Sequence, residues 1–452
     1  MSNKILFVIC LLLPLKTAAQ VVSLDKCIRL AQQNNKQIHS RQAQTQAAAY
    51  TSKAQRALFL PDIKLTGNGY WNNKKGDLIN VPEAYLPAFD LASGTPAPTT
   101  MGAYFPGLNL DYKVGTIWQG GISVTQPIYT GGKIATAYSM AQLVERMSET
   151  QETQTRQEVW VEVATAYTGL VRAQEMKKVA RQYNVLLTEL LQNVQAAVRH
   201  GMKLRNDELK VQVRLNESEL QIHRADNARR LAAKNLCQVI GMAYNDSIAA
   251  DASLPKSANA SQADLTGRPE VQLLDQQVEM ARRQVSLARA ELLPQVGLQG
   301  SYGYLHGLKI NGDTKLDGGS FSVLLNVSIP VFHFGERANK VKAAKARLAQ
   351  TELDRQHLNE KMQLELSQAI DNLEEARLEV TLAERSLAQA DENRRLSGKQ
   401  YEAGMETLSD HLEAQTLWQQ AYATKVDAHC QLYLNYIKYL KAAGRLTVNS
   451  AQ

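Results

Sequence analysis

The stretch that decides the fold is Phe321-Ser322-Val323-Leu324-Leu325-Asn326-Val327-Ser328-Ile329-Pro330. Phe321, Val323, Leu325, Val327 and Ile329 alternate with Ser322, Leu324, Asn326 and Ser328, the period of two expected of a strand. Upstream, Val296, Leu298, Tyr302 and Tyr304 alternate with Gln295, Gln299 and Ser301. Downstream the period changes. No proline occurs between 331 and 452, and Leu366, Leu373, Val380 and Leu387 recur every seven residues, with Ala369, Ala376, Ala383 and Ala390 interleaved. Such a repeat is a coiled-coil seam in which alanine permits close helix approach. The unit is therefore a strand hairpin followed by long helices.

The unit occurs twice. Pro330, Gly335 and Gly404 repeat Pro127, Gly132 and Gly201 at an offset of 203, as do Met405 and Met202, Asp410 and Asp207, Leu412 and Leu209, and Gly444 and Gly241. Upstream the offset is 233: Leu60-Pro61-Asp62-Ile63 matches Leu293-Pro294-Gln295-Val296, and Lys36-Gln37-Ile38 matches Pro269-Glu270-Val271. The first copy thus holds about thirty extra residues between its two prolines, placed by Pro82, Pro87, Pro96, Pro98 and Pro106 in a long loop over 73–111. Its strand signals, Ile63, Leu65 and Trp71, then Ile117, Ile122 and Val124, are weaker. Each strand reads as about ten residues, enough for a tilted crossing of a bilayer. A leader is expected over 1–19, a first repeat over 20–254 with its turn near 201, a linker over 255–268, a second repeat over 269–446 with its hairpin at 294–330 and turn near 404, and a tail over 447–452.

The helices are too long for a globule. Lys133 to Arg199 is 67 residues, about 100 Å at 1.5 Å per residue. The return helix, Met202 to Ile240, is shorter, so Leu24 to Leu58 is expected to stack on its end beside the long one. In the second copy Thr407 to Ala443 and Pro269 to Leu292 play these parts.

The whole chain has 452 residues, 51 Lys and Arg against 44 Asp and Glu, and a net charge of +7; its mean hydropathy is −0.32. That is too polar for a bundle of membrane helices, and after the leader no apolar run reaches the ~18 residues a spanning helix needs. Lys4, the apolar run Ile5 to Leu13, and Thr17-Ala18-Ala19 read as a secretory signal. Cys10 lacks a small residue before it, so a lipid anchor there is not expected. Cys27, Cys237 and Cys430 are too far apart for a metal ladder and read as packed side chains. Any entry into a membrane must then be by strands. Four strands leave two unpaired edges, which hydrocarbon does not tolerate, so closure requires other chains; eight strands from two chains or twelve from three would both close. The competing class is an exported coiled-coil fibre or adhesin, which has no need of alternating strands in both halves.

Over essentially the whole mature chain the sequence resembles the TolC-like outer membrane efflux proteins. The resemblance rests on Leu60-Pro61-Asp62-Ile63 and Leu293-Pro294-Gln295-Val296, on Gln126-Pro127-Ile128-Tyr129 with Gly131-Gly132, on Ile329-Pro330-Val331-Phe332 with Gly335, and on the turns His200-Gly201-Met202 and Ala403-Gly404-Met405. It implies a mixed α and β membrane protein: a homotrimer with a twelve-stranded barrel in outer membrane lipid, continuing into a periplasmic coiled-coil tunnel that docks on a periplasmic adaptor (membrane fusion) protein and an inner membrane pump.

The candidate site lies at the two turns. Gly201 and Gly404 supply φ > 0, while Met202, Leu204, Met405 and Leu408 put apolar residues at a wet end, the mark of a partner surface. The resemblance assigns these turns, with Thr407, to adaptor contact. Asp410 and Glu413 lie one helical turn apart, so both carboxylates share a face. As first-turn acids they favour the helix amino end; the resemblance makes them a gate that selects cations, with Glu413 where the family carries aspartate. It also implies a latch from Tyr401 to Asp207. The family's arginine two residues after the second glycine is here Glu406, so that part of the latch is either absent or replaced by Arg205. His200 and His411 are read as exposed turn residues.

Enzymatic readings lack a site. The eight histidines show no metal-ligand spacing, and there is no nucleophile elbow or phosphate loop, so no cofactor or metal is expected. Lys and Arg are spread among acids without interleaved aromatics, so no nucleic acid partner is expected either.

Overall fold

The computed structural model describes residues 21–87, 102–254 and 265–446. The expected leader, residues 255–264 of the linker and the tail at 447–452 lie outside the described residues. In chain order the elements are β1 (Val21–Val22), α1 (Leu24–Asn34), α2 (Lys36–Ala57), β2 (Asp62–Val81), β3 (Ala84–Pro87), β4 (Gly102–Phe105), β5 (Leu108–Tyr129), α3 (Lys133–Arg199), α4 (Arg205–Val239), β6 (Ala249–Ala250), α5 (Pro269–Ala290), β7 (Gln295–Ile310), β8 (Asp313–Ser328), α6 (Glu336–Glu402) and α7 (Leu408–Ala442). The duplication is carried to the residue: α3 and α6 have 67 residues each at an offset of 203, α4 and α7 have 35 each at the same offset, and α2 and α5 have 22 each at 233.

The chain divides into two units. One comprises residues up to Ala49 with Leu143–Glu279 and Ala349 onwards, the other Tyr50–Gln142 with Met280–Leu348. In the helical unit the main core gathers Cys27, Ile28 and Ala31 of α1, Val163, Tyr167 and Leu170 of α3, Leu236 and Cys237 of α4, and Cys430, Tyr433 and Ile437 of α7. The three cysteines are free and buried, and burial pushes the Cys27 and Cys430 thiols up to about 11. Beneath them β1 pairs in parallel with β6, and the Tyr167 hydroxyl donates to the carbonyls of Val22 and Asp251 at 3.1 and 3.0 Å.

The expected helix from Leu24 to Leu58 is broken at Asn35. Its side-chain oxygen accepts from the N–H groups of Gln37 and Ile38, opening α2, while its amide donates to the Val239 carbonyl at 2.8 Å, closing α4. One buried asparagine thus caps both helices where they meet end to end. In the second copy Arg268 occupies that place and donates to the Ala442 carbonyl at the end of α7.

The other unit is built on a four-stranded antiparallel sheet in the order β2-β5-β7-β8. Two rungs cross all four strands on one face, Ile63-Val124-Gly300-Val323 and Leu65-Ile122-Tyr302-Phe321, and the rung between them on the other face is Lys64-Ser123-Ser301-Ser322. Ile63, Leu65, Ile122, Val124, Tyr302, Phe321, Val323, Leu325 and Val327 are all exposed. An exposed apolar face opposite a polar one is the pattern of a barrel wall with lipid outside.

The strands correct two expectations. They run 20, 22, 16 and 16 residues, not about ten; 16 residues reach about 53 Å at ~3.3 Å each, beyond the ~30 Å hydrocarbon core. Alternation marks only the part that meets lipid; past it, Asn72-Asn73-Lys74-Lys75 is polar on both faces and carries no period. Nor is 73–111 chiefly a loop: β2 continues to Val81, β5 begins at Leu108, and β3 pairs with β4 as a hairpin between them. Residues 88–101 lie outside the described residues. Among the described residues no helix is long and apolar enough to cross a membrane.

Candidate functional site at the two helix turns

Each turn closes in the same way. Gly201 has φ +72° and Gly404 φ +75°. The N–H groups of Met202 and Met405 reach back to the carbonyls of Ala197 and Gln400 at 2.8 and 2.9 Å, the six-to-one bond of a Schellman end. A Cβ at either glycine would meet nothing within 4 Å, so conformation alone requires glycine there.

The two turns differ in their caps. Thr407 accepts from the Asp410 N–H at 3.2 Å and donates its hydroxyl to the Asp410 carboxylate at 2.7 Å. Its counterpart Leu204 has the same extended backbone and no side-chain cap. Asp410 is thus an acid of the first helical turn, and it and Glu413 are both exposed. Glu413 lines a groove between α4 and α7 with Leu209, Lys210, Arg214 and Glu217. Asp207 is half-buried with the Lys210 ammonium 3.8 Å away.

Met202, Leu204 and Met405 are exposed at 69%, 73% and 77%, whereas Leu408 is only 4% exposed and packs with Leu187, Val194, Val211 and Leu412. Leu408 therefore belongs to the core beneath the turns rather than to a docking surface. Its position as first residue of α7 turns it against α3.

Tyr401 is also tied differently from expectation. Its ring stacks on His411 at 5.2 Å with an interplanar angle of 3°, and the Lys203 ammonium lies 4.6 Å from its centroid. Burial, and then the Asp207 carboxylate, push its hydroxyl above the ordinary tyrosine range. Asp207 is thus close enough to be felt, but no hydrogen bond joins the two among the described residues. The cation on Tyr401 is Lys203, not Arg205.

His411, like Leu408, is buried against expectation: it is 8% exposed. Its Nδ1 lies 3.0 Å from the Ser397 hydroxyl, which lies 3.0 Å from Glu406 Oε1, and its Nε2 lies 2.9 Å from the Gln415 amide nitrogen. A carboxylate only accepts, so Ser397 donates to Glu406 and accepts from Nδ1–H; Nε2 then accepts from Gln415. The network assigns a neutral imidazole, and burial pulls the pKa below 6.5 against the opposing pull of Glu406 and Glu402. The signal lay in polar residues at core spacing, Ser397, His411 and Gln415, beside Leu408 and Leu412.

A duplicated pair of long helical hairpins, together with a four-stranded sheet bearing an exposed apolar face, defines the class, an outer membrane channel-type fold. Residues 27–242 and 260–445 match the family model described as outer membrane efflux protein, and the chain belongs to that family. It is 29% identical over 224 residues to the alkaline protease secretion protein AprF of Pseudomonas aeruginosa, covering 47% of this chain and 45% of that protein's length. It is 22% identical over 345 residues to the outer membrane efflux protein BepC of Brucella suis, covering 75% and 74%. The open-state outer membrane channel MtrE of Neisseria gonorrhoeae superposes with a TM-score of 0.72 at 17% identity, over 95% of this chain and 91% of that one. The expected combination of membrane strands with long coiled-coil helices is a fold shared with that structure, and the protein is an outer membrane protein.

Proposed function

We propose that the chain is the outer membrane channel of a tripartite efflux or secretion system, a passive homotrimeric conduit rather than an enzyme. The observation that carries this reading is the four-stranded sheet, with an exposed apolar face and free edges at β2 and β8. An open edge in lipid leaves backbone groups unpaired at several kcal/mol each (roughly, from transfer to hydrocarbon), so other chains must cover it. A fibre leaves that apolar face without a purpose. Secretion by AprF and efflux by BepC are the activities that the relatives' names carry.

The turns supply docking and gating. Met202, Leu204 and Met405 form the surface for a periplasmic adaptor, with Gly201, Gly404 and Thr407 shaping it, and an inner membrane pump supplies the energy. Asp410 and Glu413 ring the mouth and favour cations. Tyr401, between Lys203 and His411 and beside Asp207, latches the second hairpin to the first turn. In planar bilayers the channel should pass cations over anions, and Asp410→Asn with Glu413→Gln should lower that preference severalfold. An unchanged permeability ratio removes the acidic gate from the account.

A further inference from the structure

The link from β8 into α6 carries an unusual residue. Phe334 has φ +45°, the left-handed region that disfavours a bulky side chain. It is 92% exposed, and its described ring contact is Phe332, whose centroid is 4.7 Å away. Val331 and Phe332 are exposed as well. Among the described residues, Phe332 is the one ring packed on it, which does little to offset the backbone cost.

The duplication shows what belongs there. The counterpart of Phe334 at the offset of 203 is Gly131, with φ +63°. Gly131 is pressed against the second copy of the repeat: a Cβ on it would lie 2.7 Å from both the Ala290 carbonyl oxygen and Leu293 Cβ. At the offset of 233, Ala290 and Leu293 correspond to Ala57 and Leu60, the same residue types, and Leu58, Phe59 and Leu60 are exposed. The strands give the same answer. Inside the chain Val124 faces Gly300 and Tyr129 faces Val296 across β5 and β7. The two offsets turn these into Val327 facing Gly67 and Phe332 facing Ile63 across free edges, which only a second copy of the chain can bring together.

We propose that Phe334, with Phe332 packed on it, is the packing piece of the seam between neighbouring copies of this chain, seated on Ala57 and Leu60 of the second copy where Gly131 sits on Ala290 and Leu293 within one copy. The proposal rests on the reading of the protein as a closed ring of chains and adds the residues of the joint. Since even a Cβ does not fit the inner seam, the outer one stands wider at this level to admit a ring. The joints between chains are then built differently from those inside them, at a place where the repeat is otherwise followed residue by residue.

Cysteine pairing in the full-length chain in membranes tests this. Cys27, Cys237 and Cys430 are buried, so an oxidant acts first on introduced cysteines in the described residues. Leu60→Cys with Phe334→Cys should give covalent multimers on a non-reducing gel, with each single variant remaining monomeric. Gly67→Cys with Val327→Cys is the control across the free edges, and a Cβ at Gly67 meets nothing within 4 Å. Multimers from the control alone overturn the aromatic joint, leaving the rings to lipid, while the chains still stand side by side. Multimers from neither pair overturn the joint together with the ring of chains. As an independent arm, Phe334→Gly relieves the backbone and should lower the fraction of oligomer that survives detergent; an unchanged fraction counts against the joint.

Discussion

Helices α3 and α6 have the same length and the same place in the repeat, yet they live in different surroundings. Helix α3 buries Leu143, Val159, Trp160, Tyr167, Leu170 and Leu187 among others, and it contributes to cores shared with α1, α4 and α7. Helix α6 buries only Met362, Leu373, Ala376, Ala383 and Ser397, and it leaves Leu353, Leu364, Leu378, Leu382 and Leu396 exposed. On the heptad seam, Leu373 packs on Tyr439 of α7 and on Ala443 just past its end, with Leu366 beside it; the second leucine row is exposed. In the proposed ring of chains the open row of α6 is half of an interface, so α6 would report on neighbouring chains while α3 reports on the fold of one.

Val179 and Leu382 are counterparts at the offset of 203, the first buried and the second half exposed. Val179→Ala should cost about 2 kcal/mol, in line with loss of buried methyl groups, read by urea denaturation of the detergent-solubilised protein. Leu382→Ala should stay within about 0.5 kcal/mol for the single chain and instead shift the oligomer towards monomer in size-exclusion chromatography. Equal losses from both would end the distinction between the two helices.

Acid should separate the two turns. The folded state holds His411 neutral with its pKa below 6.5, so protonation favours the unfolded or opened turn. The stability it contributes is complete above pH 6.5 and is lost as pH falls through the lowered pKa. The facing groups are Arg394, Tyr401, Glu402 and Glu406, with Lys203 and Asp207 beyond the tyrosine. The counterpart of His411 is Glu208, which accepts from Gln195 and Gln212, so the first turn carries no imidazole at that position. Hydrogen exchange, corrected for its intrinsic pH dependence, should therefore rise around 397–415 and not around 194–212 as pH drops from about 7.5 to 5.5, the range of imidazole titration. His411→Gln should abolish the difference.

The smallest effect concerns the caps. Thr407→Ala should cost about 1 kcal/mol, and Leu204→Thr, at a backbone already shaped for a cap, should recover a similar or smaller amount. Thermal unfolding followed by circular dichroism would read both; a Leu204→Thr variant that loses stability would mean that the leucine packs rather than waits for a partner.

Much of this was legible in the sequence because helices announce both ends. The bounds Lys133 and Arg199 follow from Gly132 and Gly201, and a heptad repeat persists wherever it has a partner. The strands were half legible, since alternation exists only where one face meets lipid. The site was legible as a place and not as a network. Leu408 and Met405 are three residues apart with similar side chains, and only the turn of α7 decides that one is buried and the other exposed. His411 is hidden for the same reason, because a histidine near a turn carries no mark of the serine and glutamine that will surround it.

The equal lengths of the two hairpins have a consequence for how such a protein can change. Their ends share one core, in which Val194 and Val211 from the first hairpin meet Tyr401 and Leu412 from the second, so length behaves as a ruler graduated in heptads. Removing seven residues from each of the four tip helices, α3, α4, α6 and α7, would lower both turns by about 10.5 Å and return every side chain to its neighbour. The same deletion in one hairpin would leave the other standing proud with a bare core. Evolution along this chain is therefore bound to edit in matched quadruplets, and reach can be tuned without redesigning either end.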